Sequence, residues 1–258
     1  MTALRGHLEG LVRGGRKLLV PYLVAGVPDR ESFAATLAAI SGPADAVELG
    51  LPFSDPLMDG PVIAEAAQRA LRLGVRPVDA LDAGTAGDGT PTIAMTYYNP
   101  IHRTGEKEFC RRAAAAGIAG LIVPDLPVEE SGSLREAAAA EGLAWIPLVA
   151  PTSPPDRVKA ITETSTGFVY AVSTLGVTGT REQLSERAAR VVEACRAATD
   201  APVLVGIGVS SPAHAVEAAA SADGVVIGTA VVRLVLEEGA GPAGAFLASV
   251  RAALDESV

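Results

Sequence analysis

Two carboxylates stand close together in the first quarter of the chain: Glu48 in Asp45-Ala-Val-Glu-Leu-Gly50, and Asp59 in Leu51-Pro-Phe-Ser-Asp-Pro-Leu-Met-Asp-Gly-Pro61. Glu48 is flanked by Val47 and Leu49 in a run that otherwise reads as a buried strand. Burial disfavours the charged form of a carboxyl, which lifts its pKa toward the range useful for proton transfer. The same residue in the same place also suits a structural ion pair between strands, and the run itself does not choose. Asp59 precedes Gly-Pro, a common turn and helix entry, so a cap is the ordinary reading of that residue alone. Taken together on one strand–helix unit, two carboxylates provide an acid/base pair whose environments can differ, which is how one site runs acid and base steps together.

A second chemistry is written near the other end. Val205-Gly-Ile-Gly-Val-Ser-Ser211 and Val225-Val-Ile-Gly-Thr-Ala230 each lead from an apolar run into a helix. Glycines there admit a phosphate close to the backbone, and helix N-termini supply unpaired N–H donors and a favourable dipole. One Gly-x-Gly is weak evidence, since glycine is ordinary at tight turns; two in successive late units match where barrels commonly hold phosphate. Thr178-Gly-Thr180 reads as a further backbone donor or as an ordinary capped loop. Tyr170 reads as a hydroxyl reaching the site or as a ring packed in the core.

These residues need elements to place them. Eight β-branched or aliphatic runs, at residues 18–25, 45–50, 92–97, 120–124, 144–149, 167–173, 203–206 and 224–228, alternate with Ala-, Leu-, Glu- and Arg-rich stretches of helical spacing. The runs are continuously apolar, so both faces are buried, as in a parallel sheet covered by helices. Cap chemistry marks helix starts at Ser153 before Pro154, at Thr180 with Gln183, and at Ser211 before Pro212. The stretch after Pro61 gathers Val62, Ile63, Ala66, Ala67, Ala70 and Leu71 on one face, so a helix begins just after Asp59. Eight strand–helix units without a linker or composition break favour one (β/α)₈ barrel over residues 1–258, although an open doubly wound sheet with a cap domain gives similar counts. In a barrel the loops at 51–60 and 174–180 lie on the C-terminal face, where such enzymes work.

Composition narrows the function. The 258 residues are 49% hydrophobic and 20% charged, enough apolar material for a sizeable core. A net charge of −9 argues against nucleic acid and anionic membranes as partners, so an anionic substrate has to be met by local backbone donors. Cys110 and Cys195 have no ligand spacing and read as buried free thiols; His7, His102 and His214 are scattered, so no metal is expected. No apolar run is long enough to span a bilayer and no secretory pattern opens the chain, which predicts a cytoplasmic protein.

The run from Val47 to Pro61 resembles the signature of the tryptophan synthase α subunit family. The resemblance continues through Pro21-Tyr-Leu-Val-Ala-Gly26, Tyr97-Tyr-Asn-Pro100, Gly120-Leu-Ile-Val-Pro-Asp-Leu-Pro127, Leu148-Val-Ala-Pro-Thr152, residues 170–179, Gly206-Ile-Gly208 and Gly228-Thr229, nearly the whole chain. It implies retro-aldol cleavage of indole-3-glycerol phosphate to indole and glyceraldehyde 3-phosphate, with no cofactor in this chain. By resemblance Glu48 is the proton shuttle, and Asp59 accepts the indole N–H and stabilises the positive charge developing there. Tyr22 and Phe53 line the indole pocket, Tyr170 lies near the substrate, and Gly179, Gly208, Gly228 and Thr229 surround the phosphate. Asp55 and Asn99 match positions that lie at or signal to a PLP-dependent β subunit, the partner in an αββα assembly that receives indole through a tunnel. Val27 departs from the aspartate usual at its place, and Thr174 from the arginine of some members; both bear on loop closure or coupling rather than on the acid/base pair. Two other readings stand beside it, a free-standing indole-3-glycerol phosphate lyase and a catalytically silent barrel that activates a β partner. A further phosphate-binding barrel, an isomerase of histidine or tryptophan biosynthesis, offers no role for the Pro-Phe-Ser-Asp-Pro-Leu-Met-Asp-Gly-Pro run.

Overall fold

A computed structural model of the chain describes residues 1–83, 85, 89–172, 181–206 and 208–257. Among them are nine parallel strand segments: β1 (Leu18–Val24), β2 (Val47–Gly50), β3 (Thr92–Met95), β4 (Ile118–Ile122), β5 (Ala144–Trp145), β6 (Leu148–Val149), β7 (Val169–Val172), β8 (Val203–Gly206) and β9 (Gly224–Ile227). They lie in the order β5-β4-β3-β2-β1-β9-β8-β7-β6. The expected single strand at 144–149 is thus two segments, and the reason is Pro147, which has no N–H to give to a ladder. Just before it, the Ile146 N–H donates to the Leu121 carbonyl (3.0 Å); at the proline, its carbonyl accepts from the Tyr170 N–H (3.0 Å). β5 pairs with β4 and β6 with β7. The two ends of the strand order are therefore halves of one strand, and the sheet closes into an eight-stranded barrel.

Helices occupy the intervals. α1 (Ala3–Arg13) precedes β1, and α2 (Phe33–Ser41) follows it; α3 (Pro61–Arg72) and a 3₁₀ turn (Asp79–Ala83) follow β2. After β3 come α4 (Tyr98–Thr104) and α5 (Glu106–Ala115), after β4 comes α6 (Gly132–Ala140), and after β6 comes α7 (Pro155–Thr162). α8 (Arg181–Arg196) follows β7, α9 (Pro212–Ala219) follows β8, and α10 (Thr229–Glu237) and α11 (Ala240–Glu256) close the chain. Of the expected caps, the Ser211 hydroxyl accepts the His214 N–H. Ser153 does not cap, because α7 starts one step later with Pro154 at its N-cap; Thr180 lies outside the described residues.

Strand alternation divides the apolar residues between two cores. Leu18, Val20, Ala46, Phe168, Leu204 and Val226 face inward and fill the barrel, whereas Leu19, Leu23, Val47, Val169 and Val205 face outward against the helices. Below the barrel, α1 inserts Leu4 and Leu8, one turn apart on one face, into the inner core. Each buried leucine contributes roughly 1.5–3 kcal/mol. The strand period then places the functional candidates: Tyr22 is two residues beyond Val20, Glu48 two beyond Ala46, and Tyr170 two beyond Phe168. All three point into the barrel, one layer above its apolar filling.

At the lower end, Asp45 is buried and fully engaged. It accepts hydrogen bonds from the Leu19 N–H (2.8 Å), Arg16 Nε (2.6 Å) and Arg251 Nη1 (3.2 Å). This is what a structural carboxylate looks like in this fold.

Candidate active site

Glu48, three residues beyond Asp45, is treated differently. It is 2% exposed, and among the described residues its Oε2 has no hydrogen-bond partner. Burial, then the charge of Asp59, pushes its pKa up to about 8. Among the described residues no cation offsets either effect, and none forms the interstrand ion pair that the sequence left open. At neutral pH the group is a protonated acid aimed into the mouth of the barrel.

Asp59 approaches from the loop 51–60. The loop starts from the sheet, where the Leu51 N–H donates to the Met95 carbonyl (2.8 Å). It ends at Gly60, which is the N-cap of α3, with Pro61 in the first turn. Asp59 is therefore not the cap; its carboxyl lies close enough to the Tyr97 phenol for each to shift the other's pKa. Burial lifts the Asp59 pKa to about 6, against the lowering effect of the nearby Tyr97 hydroxyl. Around neutrality the two carboxyls thus hold one proton between them, Glu48 protonated and Asp59 ionised.

Tyr97 is a site residue that residue-by-residue reading of the sequence passed over. It follows β3 at the N-cap of α4 and is 4% exposed. Its hydroxyl accepts the Met58 N–H (2.9 Å), and its ring stacks on Phe53 with centroids 5.2 Å apart at 26°.

Two tyrosines complete the walls. Tyr22 is in register with Glu48 across β1 and β2, and Tyr170 with Leu204 across β7 and β8. Each lays its hydroxyl over the glycine two residues further along the neighbouring strand. A Cβ on Gly50 would stand 2.0 Å from the Tyr22 hydroxyl, and one on Gly206 would stand 2.5 Å from that of Tyr170. Those glycines are the room the phenols need. Burial, reinforced by the charges of Asp59 and Glu48, pushes both phenol pKa values up, so the hydroxyls stay neutral.

At another corner of the mouth, Gly208 follows β8, Gly228 is the N-cap of α10 and Thr229 is its first residue. The opening N–H groups of α10 have no partner within the helix. A Cβ on Gly228 would lie 3.5 Å from Ile63 Cδ1 and 3.7 Å from Tyr22 Cβ, so this corner adjoins Tyr22 and the start of α3. Gly179 and Thr174 lie outside the described residues. Val27 is fully buried in the outer core and brings no charge to the mouth.

Asp55 and Asn99 meet on the outer wall. With Phe53, Ser54, Pro100 and Arg103 they line a cavity of about 560 Å³. Leu57 and Met58, at the tip of the same loop, are 87% and 46% exposed. Cys110 and Cys195 are buried free thiols remote from this chemistry, with pKa values pushed up to about 12 by burial.

The architecture has close counterparts. The family model for tryptophan synthase alpha chain matches residues 8–252. The tryptophan synthase alpha chain of Microcystis aeruginosa is 45% identical over 90% of both chains. That of Streptomyces avermitilis is 48% identical over 86% of this chain and 82% of its own. Among solved structures, Mycobacterium tuberculosis tryptophan synthase superposes with a TM-score of 0.90 at 41% identity, covering 98% of each chain. Tryptophan synthase subunit alpha from Legionella pneumophila gives 0.88 at 32% identity, covering 99% of each.

Proposed function

The chain belongs to the tryptophan synthase alpha chain family, and from that premise we propose that Glu48 and Asp59 divide the cleavage of indole-3-glycerol phosphate between them as acid/base and electrostatic anchor. The activity is that of a carbon–carbon lyase in tryptophan biosynthesis, and residues 1–258 serve it as one barrel domain. The observation that carries the division of labour is the unlike state of two neighbouring carboxyls, one near 8 and one near 6.

The Glu48 carboxyl gives its proton to indole C3. The ring becomes a cation with its charge at the nitrogen, where the Asp59 carboxylate accepts the N–H and stabilises that charge. The Glu48 carboxylate so formed takes the proton of the side-chain hydroxyl on the carbon bonded to C3. The O–H electrons form the carbonyl of glyceraldehyde 3-phosphate, the C–C bond breaks, and its electrons restore neutral indole. Glu48 ends as it began, protonated. The desolvated mouth, bounded by the rings of Tyr22, Phe53 and Tyr170, suits the indole; Gly208, Gly228 and Thr229 face the phosphate with backbone N–H groups, and Gly179 belongs to the same set by its resemblance.

The scheme fixes a pH profile. Turnover needs Asp59 ionised and Glu48 protonated, so kcat/KM falls as pH drops through about 6 and again as it rises through about 8. A bell-shaped profile with its maximum near neutrality is expected; activity rising monotonically to pH 9 would reverse the assigned roles.

The phosphate corner has its own test. A methyl on Gly208 meets no atom of the described residues within 4 Å, so Gly208→Ala is expected to leave the fold alone. With the phosphate against that backbone, KM rises about tenfold or more while kcat changes little. An unaltered KM would remove Gly208 from the site.

An alpha chain implies a β subunit. The exposed Leu57 and Met58 beside the cavity shared by Phe53, Asp55 and Asn99 support this face as its seat, since exposed apolar side chains beside a hollow mark contact surfaces. The αββα assembly, with PLP on the β partner and none on this chain, follows from that reading. Among the described residues no helix is long and apolar enough to cross a membrane. An indole-release assay on indole-3-glycerol phosphate, run alone and with the β subunit, decides the working form: strong stimulation supports the subunit reading, and full activity alone supports the free-standing lyase.

A further inference from the structure

We propose that the cleft between the loop after β1 and the turn after α3, apart from the mouth of the barrel, is a binding site for a small aromatic carboxylate. Its volume is about 340 Å³, and Ala25, Phe33, Val75, Ala80, Arg30 and Arg76 line it. Ala25, Phe33 and Ala80 are buried and Val75 is half-buried, which gives the cleft an apolar floor; both arginines are exposed and form its rim. It shares no lining residue with the cavity of Phe53, Asp55 and Asn99.

The walls are fixed before any ligand arrives. Val75 packs directly on the backbone of Gly26, where a Cβ would stand 2.5 Å from Val75 Cγ2, and Gly26 has a φ of 85°, so the contact requires glycine. The Ala25 N–H donates to the Gly50 carbonyl (2.9 Å), which ties one wall to the sheet. The Val75 N–H donates to the Ala70 carbonyl (3.1 Å), which ties the other to the end of α3. A hollow held on both sides in this way is preformed, as small-molecule sites usually are.

Charge selects the occupant. With 30 acidic residues against 21 basic ones, an arginine of this chain has partners in plenty. Arg16 takes Asp45 at 2.6 Å, Arg157 takes Glu129 at 2.5 Å and Arg196 takes Asp223 at 2.7 Å. Arg30 and Arg76 have neither an ion pair nor a hydrogen bond among the described residues, yet they line one cleft. The acids nearest them are engaged elsewhere. Asp79, which also lines the cleft, faces Arg112 at 3.4 Å, and Asp29 accepts the N–H groups of Glu31 (3.0 Å) and Ser32 (2.8 Å). Guanidinium forks match the two oxygens of a carboxylate, and their flat faces stack on an aromatic ring. The apolar floor then buries the ring. Ligand pockets span roughly 300–1,000 Å³, so a cleft of about 340 Å³ takes one or two fused rings and excludes a nucleotide.

The test is a calorimetric titration of the full chain with 2-naphthoate, the mouth being filled by saturating indole-3-propanol phosphate. That analogue keeps the ring and phosphate of the substrate and lacks the hydroxyl whose proton the cleavage removes. One equivalent of naphthoate is expected to bind. Arg30→Gln and Arg76→Gln, changes at exposed and unpaired side chains, are each expected to weaken it about tenfold, and the uncharged 2-naphthamide is expected to bind at least tenfold more weakly than naphthoate. Absence of saturable binding, or equal affinity in wild type and both variants, overturns the site. Displacement of naphthoate by the analogue, one for one, places the ligand in the mouth and overturns it as well. The analogue's own titration reports on the mouth alone, so a failure of the lyase reading is seen separately from a failure of this site.

Discussion

Glu48→Gln is expected to abolish indole formation, with a loss on the order of 10³-fold or more, while phosphate-ligand binding survives. The amide fills nearly the same volume and cannot carry a proton in either direction, so both proton transfers stop together. What separates this loss from damage is its accompaniment by a gain in stability. In wild type the folded carboxyl releases its proton near 8, whereas the unfolded one releases it near 4.5, so folding stability falls as pH rises between those values. The glutamine variant escapes that fall. Its melting temperature is expected to pull ahead of wild type as pH rises from about 4.5 to about 8, by an amount reaching a few kcal/mol in stability, and to show no such growth at lower pH. A variant that is inactive and less stable at pH 8 would mean that Glu48 is held by contacts; a variant that is active would end the proposed mechanism.

Asp59→Asn ranks second, with an expected loss on the order of 10²–10³-fold in kcat/KM. The amide keeps the shape of the side chain, and the Met58 N–H still donates to the Tyr97 hydroxyl, so the loop stays seated and what disappears is the negative charge proposed to face the indole nitrogen. Substrate affinity suffers more than in Glu48→Gln, because the anchor also orients the ring. The pH profile supplies a second readout with two signs. The acid limb near 6 vanishes with the group that titrates there. The basic limb moves below 8, since the charge of Asp59 is one of the two causes that raise Glu48. Full turnover would return Asp59 to a role in loop structure.

Much of this arrangement was legible in the sequence because it rests on local rules. Continuous apolar runs announced strands buried on both faces, and the strand period carried Glu48 inward once Ala46 was known to face the barrel core. The apolar face of α3 likewise predicted a helix after Asp59. What escaped depends on contacts between distant segments. Whether Glu48 was paired could not be read from its neighbours, since the cations that engage its near neighbour Asp45 come from Arg16 and from Arg251, 206 positions away. Asp59 looked like a cap because Asp-Gly-Pro often is one; here the glycine holds the N-cap and the carboxylate faces a tyrosine from another unit. Tyr97 read as the end of an apolar run, for nothing local says that its hydroxyl crosses to Met58. Pro147 did carry its signal, yet a proline inside a run demotes a strand without telling that each half will serve a different neighbour.

The helix that stops the lower end of the barrel governs traffic as well as stability. With Leu4 and Leu8 wedged beneath and side chains filling the space below Glu48, the vessel is open at the top alone as far as its described residues reach. Indole is small, planar and uncharged, so nothing electrostatic retains it once the phosphate-bearing fragment has separated. Among the described residues, the exposed loop with Leu57 and Met58 flanks that opening, beside the wall that Phe53 and Asn99 share. A cover fitted there converts a dead-end vessel into a conduit; a loose cover lets the product dilute into bulk water. The fraction of indole that escapes therefore gauges the quality of that seal, independently of how fast the bond is broken.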